Sequence, residues 1–243
     1  MSNADRLWSP YCGAGPIPAE LWTRWNLDPV ALTLLALVAG LLAAVSTERR
    51  GLAAGAVLIL AITFVSPLCA LSSALFSART VHHVLLVAAV APLIAWALPR
   101  PARAPHLAVW TSGFVAVFWV WHAPAAYAAA MSNDLVYALM QASLLATATG
   151  AWRAVRAARP GGAITALLAT TVLMGLLGAI LTFAPRALYA PHALTTLAWG
   201  LSPLDDQQIA GLIMWIPAAG VYLGSALSIL AGVLRPRPVA RPA

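Results

Sequence analysis

Apolar runs long enough to cross a bilayer, about 20 residues each, recur along almost the whole chain, separated by short polar or proline-rich connections. They cover 30–47, 51–76, 80–98, 107–130, 134–152, 163–184 and 208–234. Glu48-Arg49-Arg50 divides the first two. Pro99-Arg100-Pro101 with Pro105 divides the third from the fourth, and Arg153, Arg156, Arg159 and Pro160 divide the fifth from the sixth. Only the connection 185–207 is a sizeable loop. The pattern predicts an all-α, polytopic seven-helix transmembrane bundle over 30–234, with an arm at 1–29 and a tail at 235–243. Pro67, Pro92, Pro124 and Pro217 lie inside apolar runs, where each is expected to kink its helix. Ala138, Ala142, Ala146 and Gly150 at four-residue spacing, and Gly220 with Gly224, predict close helix contacts within the bundle or across a homodimer.

Composition turns this pattern into a statement about solvent. The chain is 62% hydrophobic and 9% charged, against roughly 25% charged in an ordinary soluble domain. It cannot clothe itself in polar surface, so the lipid bilayer is its medium. A net charge of +7 would suggest nucleic acid in a soluble protein. Here the arginines lie in the connections, where they orient spans, and no nucleic-acid partner is expected. Lysine is absent. With seven spans, Arg49, Arg50, Arg100, Arg103, Arg153, Arg156, Arg159, Arg235, Arg237 and Arg241 share one side, and only Arg6, Arg24, Arg79 and Arg186 the other. The first side is then cytoplasmic, which leaves the N-terminal arm and the 185–207 loop outside. Residues 1–29 show no apolar core of a cleavable signal.

Candidate chemistry gathers at the outer end. His82 and His83 open the third span, and adjacent helical positions differ by about 100°, so one of the two is expected to face the bundle. His122 lies deeper in the fourth span, directly before Pro124, while His106 falls on the inner side. Each histidine could instead be a ring hydrogen-bonded to a neighbouring helix, or one at headgroup level. Ionisable groups at membrane depth nevertheless tend to be functional. His192 lies in the outer loop, followed by Asp205, Asp206, Gln207 and Gln208 at the mouth of the last span. Ser202-Pro203 with Asp205 reads as a helix start, and Asp206 or Gln207 as a group that orients a histidine or holds an ion. Cys12 and Cys69 are too few for a disulfide framework. Either is a buried small hydrophobe or a soft sulfur suited to Cu(I), with Met131 and Met214 as further soft donors. No aspartate, glutamate or arginine is expected deep in any span, and there is no P-loop, dinucleotide-binding glycine pattern or HExxH. Nothing points to an enzyme.

Three runs resemble the CtaG-type, multi-span cytochrome c oxidase assembly proteins. They are Val81-His82-His83-Val84-Leu85-Leu86 leading to Ala91-Pro92-Leu93; Trp121-His122-Ala123-Pro124 with Tyr127; and Trp199 to Trp215, whose Asp205-Asp206-Gln207-Gln208 and Met214-Trp215 are the most specific part. The resemblance implies a multi-pass protein of the bacterial inner (cytoplasmic) membrane that handles or delivers Cu(I) to the oxidase copper centre. Its partners would be oxidase subunits and a periplasmic copper donor. His83, His122, Asp206, Gln207, Gly211 and Met214 match motif positions, and His82, His192 and Cys12 join them as candidate ligands, with Asp205 and Cys69 in support. The chain departs from the family pattern in the fifth span, where Tyr137 and Gln141 replace a histidine pair. Two other functions fit the residues: a b-type haem protein with His83 and His122 as axial ligands, and a metal-free scaffold for oxidase subunits.

Overall fold

The computed structural model describes residues 8–235 and is all-helical. The first seven residues and the tail beyond Arg235 lie outside the described residues, and with them Arg6, Arg237 and Arg241. A short 3-10 turn, Pro18–Thr23, precedes helix α1 (Pro29–Val45), α2 (Arg50–Phe64) and α3 (Pro67–Ala74). A continuous rod follows, made of α4 (Phe76–Val84), a π-helical turn (Leu85–Val90) and α5 (Ala91–Ala97). Helices α6 (Leu107–His122), α7 (Pro124–Ala130), α8 (Asp134–Ala157) and α9 (Pro160–Phe183) come next. The last rod is α10 (Pro203–Ile213), a π-helical turn (Met214–Ala218) and α11 (Ala219–Leu234).

Local sequence explains where these elements begin. The side chains of Asp28, Ser66, Asn133 and Ser202 accept hydrogen bonds from backbone N–H groups of the first turn that follows each of them. A proline follows Asp28, Ser66 and Ser202 at the first helical position, where its missing donor costs nothing. Ser202 and Asp205 form a reciprocal capping box, as Ser202-Pro203 with Asp205 suggested. Each of the four internal prolines marks an irregularity. The chain bends by 47° between α2 and α3 at Ser66-Pro67 and by 78° between α6 and α7 at Ala123-Pro124. Pro92 follows one π-helical turn and Pro217 lies within the other.

The exterior is apolar over most of its length. Leu37 and Leu41 on α1, Val172 and Phe183 on α9, and Ile216 and Val233 along the last rod are all more than half exposed. Water would not tolerate so extensive a surface, whereas lipid solvates it. Phe76–Ala97, Asp134–Ala157, Pro160–Phe183 and Pro203–Leu234 are long and apolar enough to cross a membrane, and each bent pair adds one more, giving six. Helix α1, with 17 residues, is about 25 Å long.

Within the described chain, the two packing expectations fare differently. Gly220 and Gly224 have open space where a Cβ would project, so no close contact within the described chain uses them. Ala138, Ala142 and Ala146 face outward; the buried side of α8 runs through Tyr137, Met140, Gln141, Leu144 and Ala148. Longer side chains fill the centre; of the stripe only Gly150 packs inward, where a Cβ would overlap the Trp110 ring of α6. The tight crossing lies elsewhere. A Cβ on Gly211 would come within 2.6 Å of the Gly178 carbonyl, and one on Gly178 within 2.8 Å of the Gly211 carbonyl, so α10 crosses α9 backbone to backbone. Trp152 is buried, and its Nε1 donates to the Val87 carbonyl at 3.0 Å, in the π-helical turn.

Candidate functional site

One end of the bundle collects the polar side chains that the apolar body lacks. Three of the five histidines meet there. His82 and His83 are both buried, although adjacent positions on a helix point in different directions. The expectation that only one would face inward fails because α2 covers the other: His82 packs edge-on against Phe64, with ring centroids 4.8 Å apart. His83 lies edge-to-face with His122 at 5.4 Å and with His82 at 6.0 Å. The sharp break at Ala123-Pro124 ends α6 at His122, and this ring lies level with His83 in the last turn of α4.

The hydrogen bonds of these rings are largely unmade. His122 Nδ1 donates to the Phe118 carbonyl at 2.7 Å, so its Nε2 carries the lone pair and has no partner. His83 Nε2 lies 3.5 Å from the Gln141 amide nitrogen, while its Nδ1 has no partner. Both nitrogens of His82 and the amide oxygen of Gln141 are likewise unpartnered. Buried polar atoms are paired in the great majority of cases, and one left alone costs roughly 1–3 kcal/mol. Each neutral imidazole has one lone pair, so the three neighbouring rings offer at most one donor nitrogen apiece to an imidazole-binding ion. Among the described residues, no three of His, Cys, Asp and Glu converge as a metal cage. The rings offer a low-coordinate pair or an open cluster, and with His83 touching His122 no slot remains between them for a macrocycle.

A buried cation borders this cluster. Arg79 was counted with an outer connection, yet it is fully buried within α4, one turn before His82 and His83. Its Nη1 donates to the Tyr137 hydroxyl at 3.1 Å, its guanidinium lies 5.1 Å over the Tyr137 ring, its Nη2 approaches Met131 Sδ at 3.8 Å, and its Nε has no partner. The only ion pair among the described residues is Arg24–Glu20, so no carboxylate neutralises Arg79 directly. Tyr137 and Gln141, singled out as departures from the family pattern, thus both line the cluster, one against Arg79 and the other against His83.

The remaining candidates have structural duties. Asp206 is fully buried. Its carboxylate accepts from Phe76 N at 2.6 Å, Ser77 N at 3.2 Å and the Ser77 hydroxyl, capping α4 from another helix. Gln207 accepts from Leu188 N at 2.6 Å and donates to the Leu181 carbonyl at 3.2 Å, holding the loop after α9. Asp205 serves the local cap of α10. His192 spends both nitrogens: Nδ1 donates to the Ala74 carbonyl at 3.3 Å and Nε2 accepts from the Tyr127 hydroxyl at 2.7 Å. Burial holds its pKa down to about 3, although the Ala74 carbonyl favours the charged form. Gly211 serves the helix crossing, and Met214 is buried in the π-helical turn after α10.

Neither cysteine is a free thiol. Cys12 and Cys69 are joined by a disulfide that ties the arm to α3, with the Tyr137 hydroxyl 3.7 Å from Cys12 Sγ. Two sulfurs were too few to suggest a disulfide framework, yet the arm folds back onto the bundle and they meet. In this state Cys12 has no thiolate for Cu(I). Nearby, Tyr11 donates its hydroxyl to Asp28, whose carboxyl is held below its usual range chiefly by that bond.

Reading the sequence missed Arg79, Ser77 and Tyr189. The Tyr189 hydroxyl donates to the His122 carbonyl at 2.7 Å, which ties the outer loop to the end of α6. A signal existed for Arg79, since i and i+3 share a helix face and Arg79 precedes His82 by three.

Comparison with known proteins gives one result. No curated protein and no solved structure matches the chain. A family model does, over residues 101–236, which hold His122, Tyr137, Gln141, His192 and the whole Asp205-to-Trp215 run. The match takes in more than half of the chain, which therefore belongs to the cytochrome c oxidase caa3 assembly factor family.

Proposed function

We propose that this protein carries Cu(I) during assembly of a cytochrome c oxidase, working from the outer face of a bacterial inner membrane. The observation that carries the reading is the cluster of unpartnered ring nitrogens on His82, His83 and His122, buried side by side at one end of the bundle. In this reading His122 Nε2 and a ring nitrogen of His83 hold the ion as a two-coordinate cargo, with the Gln141 amide setting the His83 tautomer, and His82 is the exchange ligand. Few, neutral ligands suit Cu(I) and permit transfer. The guanidinium of Arg79 disfavours added positive charge, so a monovalent ion is preferred to a divalent one. With Cys12 in a disulfide, entry falls to the histidine mouth. The role is passage of an ion to an oxidase subunit, with no bond-making chemistry.

The membrane placement belongs to the same proposal. Counting α1 and both bent pairs gives seven spans. Arg49, Arg50, Arg100, Arg103, Arg153, Arg156 and Arg159 then share the cytoplasmic side, and the buried histidine cluster lies toward the outer side. The test is elemental analysis of purified protein after Cu(I) loading, with wild type beside His83→Ala and His122→Ala. The wild type is expected to retain copper that both variants lose; equal copper in all three refutes the ligand assignment. Oxidase assembly in the same strains adds a second readout. If it proceeds undisturbed with either variant stably inserted, the protein acts as a scaffold instead.

A further inference from the structure

The end of the bundle opposite the histidines carries two adjoining hollows of opposite character. One, of about 390 Å³, lies among the α1–α2 turn, the end of α5 and α8, and is lined by Glu48, Arg49, Leu98, Arg100 and Arg156. Three arginines against one glutamate give it a charge of +2. The other, of about 480 Å³, is a groove on the lipid-facing side lined by Leu52, Ala89, Leu93, Trp96, Trp152 and Ser225.

Three stretches of backbone join the hollows. Arg49 and Leu52 are one turn apart, as are Trp152 and Arg156, and Trp96 is two residues from Leu98. The arginines are also arranged to spare donors. Arg49 Nη1 donates to the Trp96 carbonyl at 2.8 Å, and Arg156 Nη1 to the carbonyls of Ala95 at 2.7 Å and Leu98 at 2.9 Å. Each thus caps the end of α5 with one nitrogen. No hydrogen bond within the described residues uses their Nη2 or Nε, or any nitrogen of Arg100.

We propose that the paired hollows bind one anionic diacyl phospholipid, with its phosphodiester among Arg49, Arg100 and Arg156 and an acyl chain along the groove beside Trp96 and Trp152. Charge selects the headgroup, since a phosphodiester accepts the parallel N–H donors that guanidinium groups present. The groove selects a lipid over a free anion, because its lining, Ser225 apart, is apolar and lies one turn from the charge. A bound lipid would brace α2, α5, α8 and α11 at the end remote from the copper cluster. This inference stands independently of copper.

Native mass spectrometry of delipidated protein in mild detergent tests it, using phosphatidylglycerol, phosphatidylcholine of the same acyl chains, and inorganic phosphate. Wild type should retain phosphatidylglycerol in preference to phosphatidylcholine. Arg100→Gln, which removes no internal hydrogen bond, should weaken phosphatidylglycerol about fivefold. Ala89→Phe, which fills the groove, should reduce its retention without altering the charge. Equal binding of the two lipids by wild type overturns the proposal, as does unchanged binding in both variants. Inorganic phosphate that competes at the same concentration also overturns it, because the site would then hold an anion and no acyl chain.

Discussion

Asp206 and His192 show how a residue type that suggests chemistry can be absorbed by architecture. Asp206 satisfies two backbone donors and one hydroxyl at the start of α4, all buried. Asp206→Ala strands those donors and is expected to cost about 3 kcal/mol, read as a lowered unfolding midpoint in detergent. His192 is neutral when folded, with its pKa held at about 3 against 6.5 unperturbed. The unfolded chain therefore binds more protons between those values, and stability is lost as pH falls from about 6.5 toward 3, by up to about 1.4 kcal/mol per pH unit. Thermal unfolding at pH 7 and pH 5 should show a smaller pH effect in His192→Gln than in wild type. An undiminished effect would mean that other groups carry the acid sensitivity. The sequence placed His83 and His122 on the same side of the membrane, but the contact between their rings depends on the bend at Pro124, whose angle no local pattern encodes. Arg79 escaped notice because its contacts with Tyr137 and Met131 come from elsewhere in the chain.

At the scale of elements, most irregularities were legible and most contacts were not. The proline positions announced both bends, because a missing N–H acts locally, whereas Pro92 and Pro217 lie at π-helical turns in rods that stay continuous. On α8 the small-residue stripe meets the rest of the bundle only at Gly150, and the buried face is the longer Tyr137–Met140–Gln141–Leu144 row. The crossing of α9 and α10 depends on Gly211 and Gly178, where even a methyl group would overlap backbone. Gly211→Val is expected to destabilise by about 1–3 kcal/mol through overpacking, and a midpoint equal to wild type would deny the close approach. The disulfide links residues 57 apart, for which loss typically costs about 2–4 kcal/mol. Cys12→Ser should lower the unfolding midpoint accordingly. In the wild type, a shift in gel mobility on reduction should report the bond.

The whole molecule is an apolar rod bundle with two unlike ends, one holding buried imidazoles and the other arginines. Hydropathy revealed the medium and the number of apolar runs at once, because solvation by lipid leaves its mark on every exposed position. The site at the imidazole end was legible only as a list of residues, since its geometry is tertiary. A periplasm-active reporter fused after Ala193 should be active, and the same reporter after Arg103 silent; the reverse pattern would invert the proposed topology. The bond between Cys12 and Cys69 adds a constraint on biogenesis. In the seven-span arrangement the first sulfur precedes α1 and the second follows α2, so the two stand on the same side only after a complete hairpin has been threaded. Oxidation of the pair would then act as a timestamp in a pulse–chase experiment, recording when the first hairpin is in place before the rest of the chain has been synthesised.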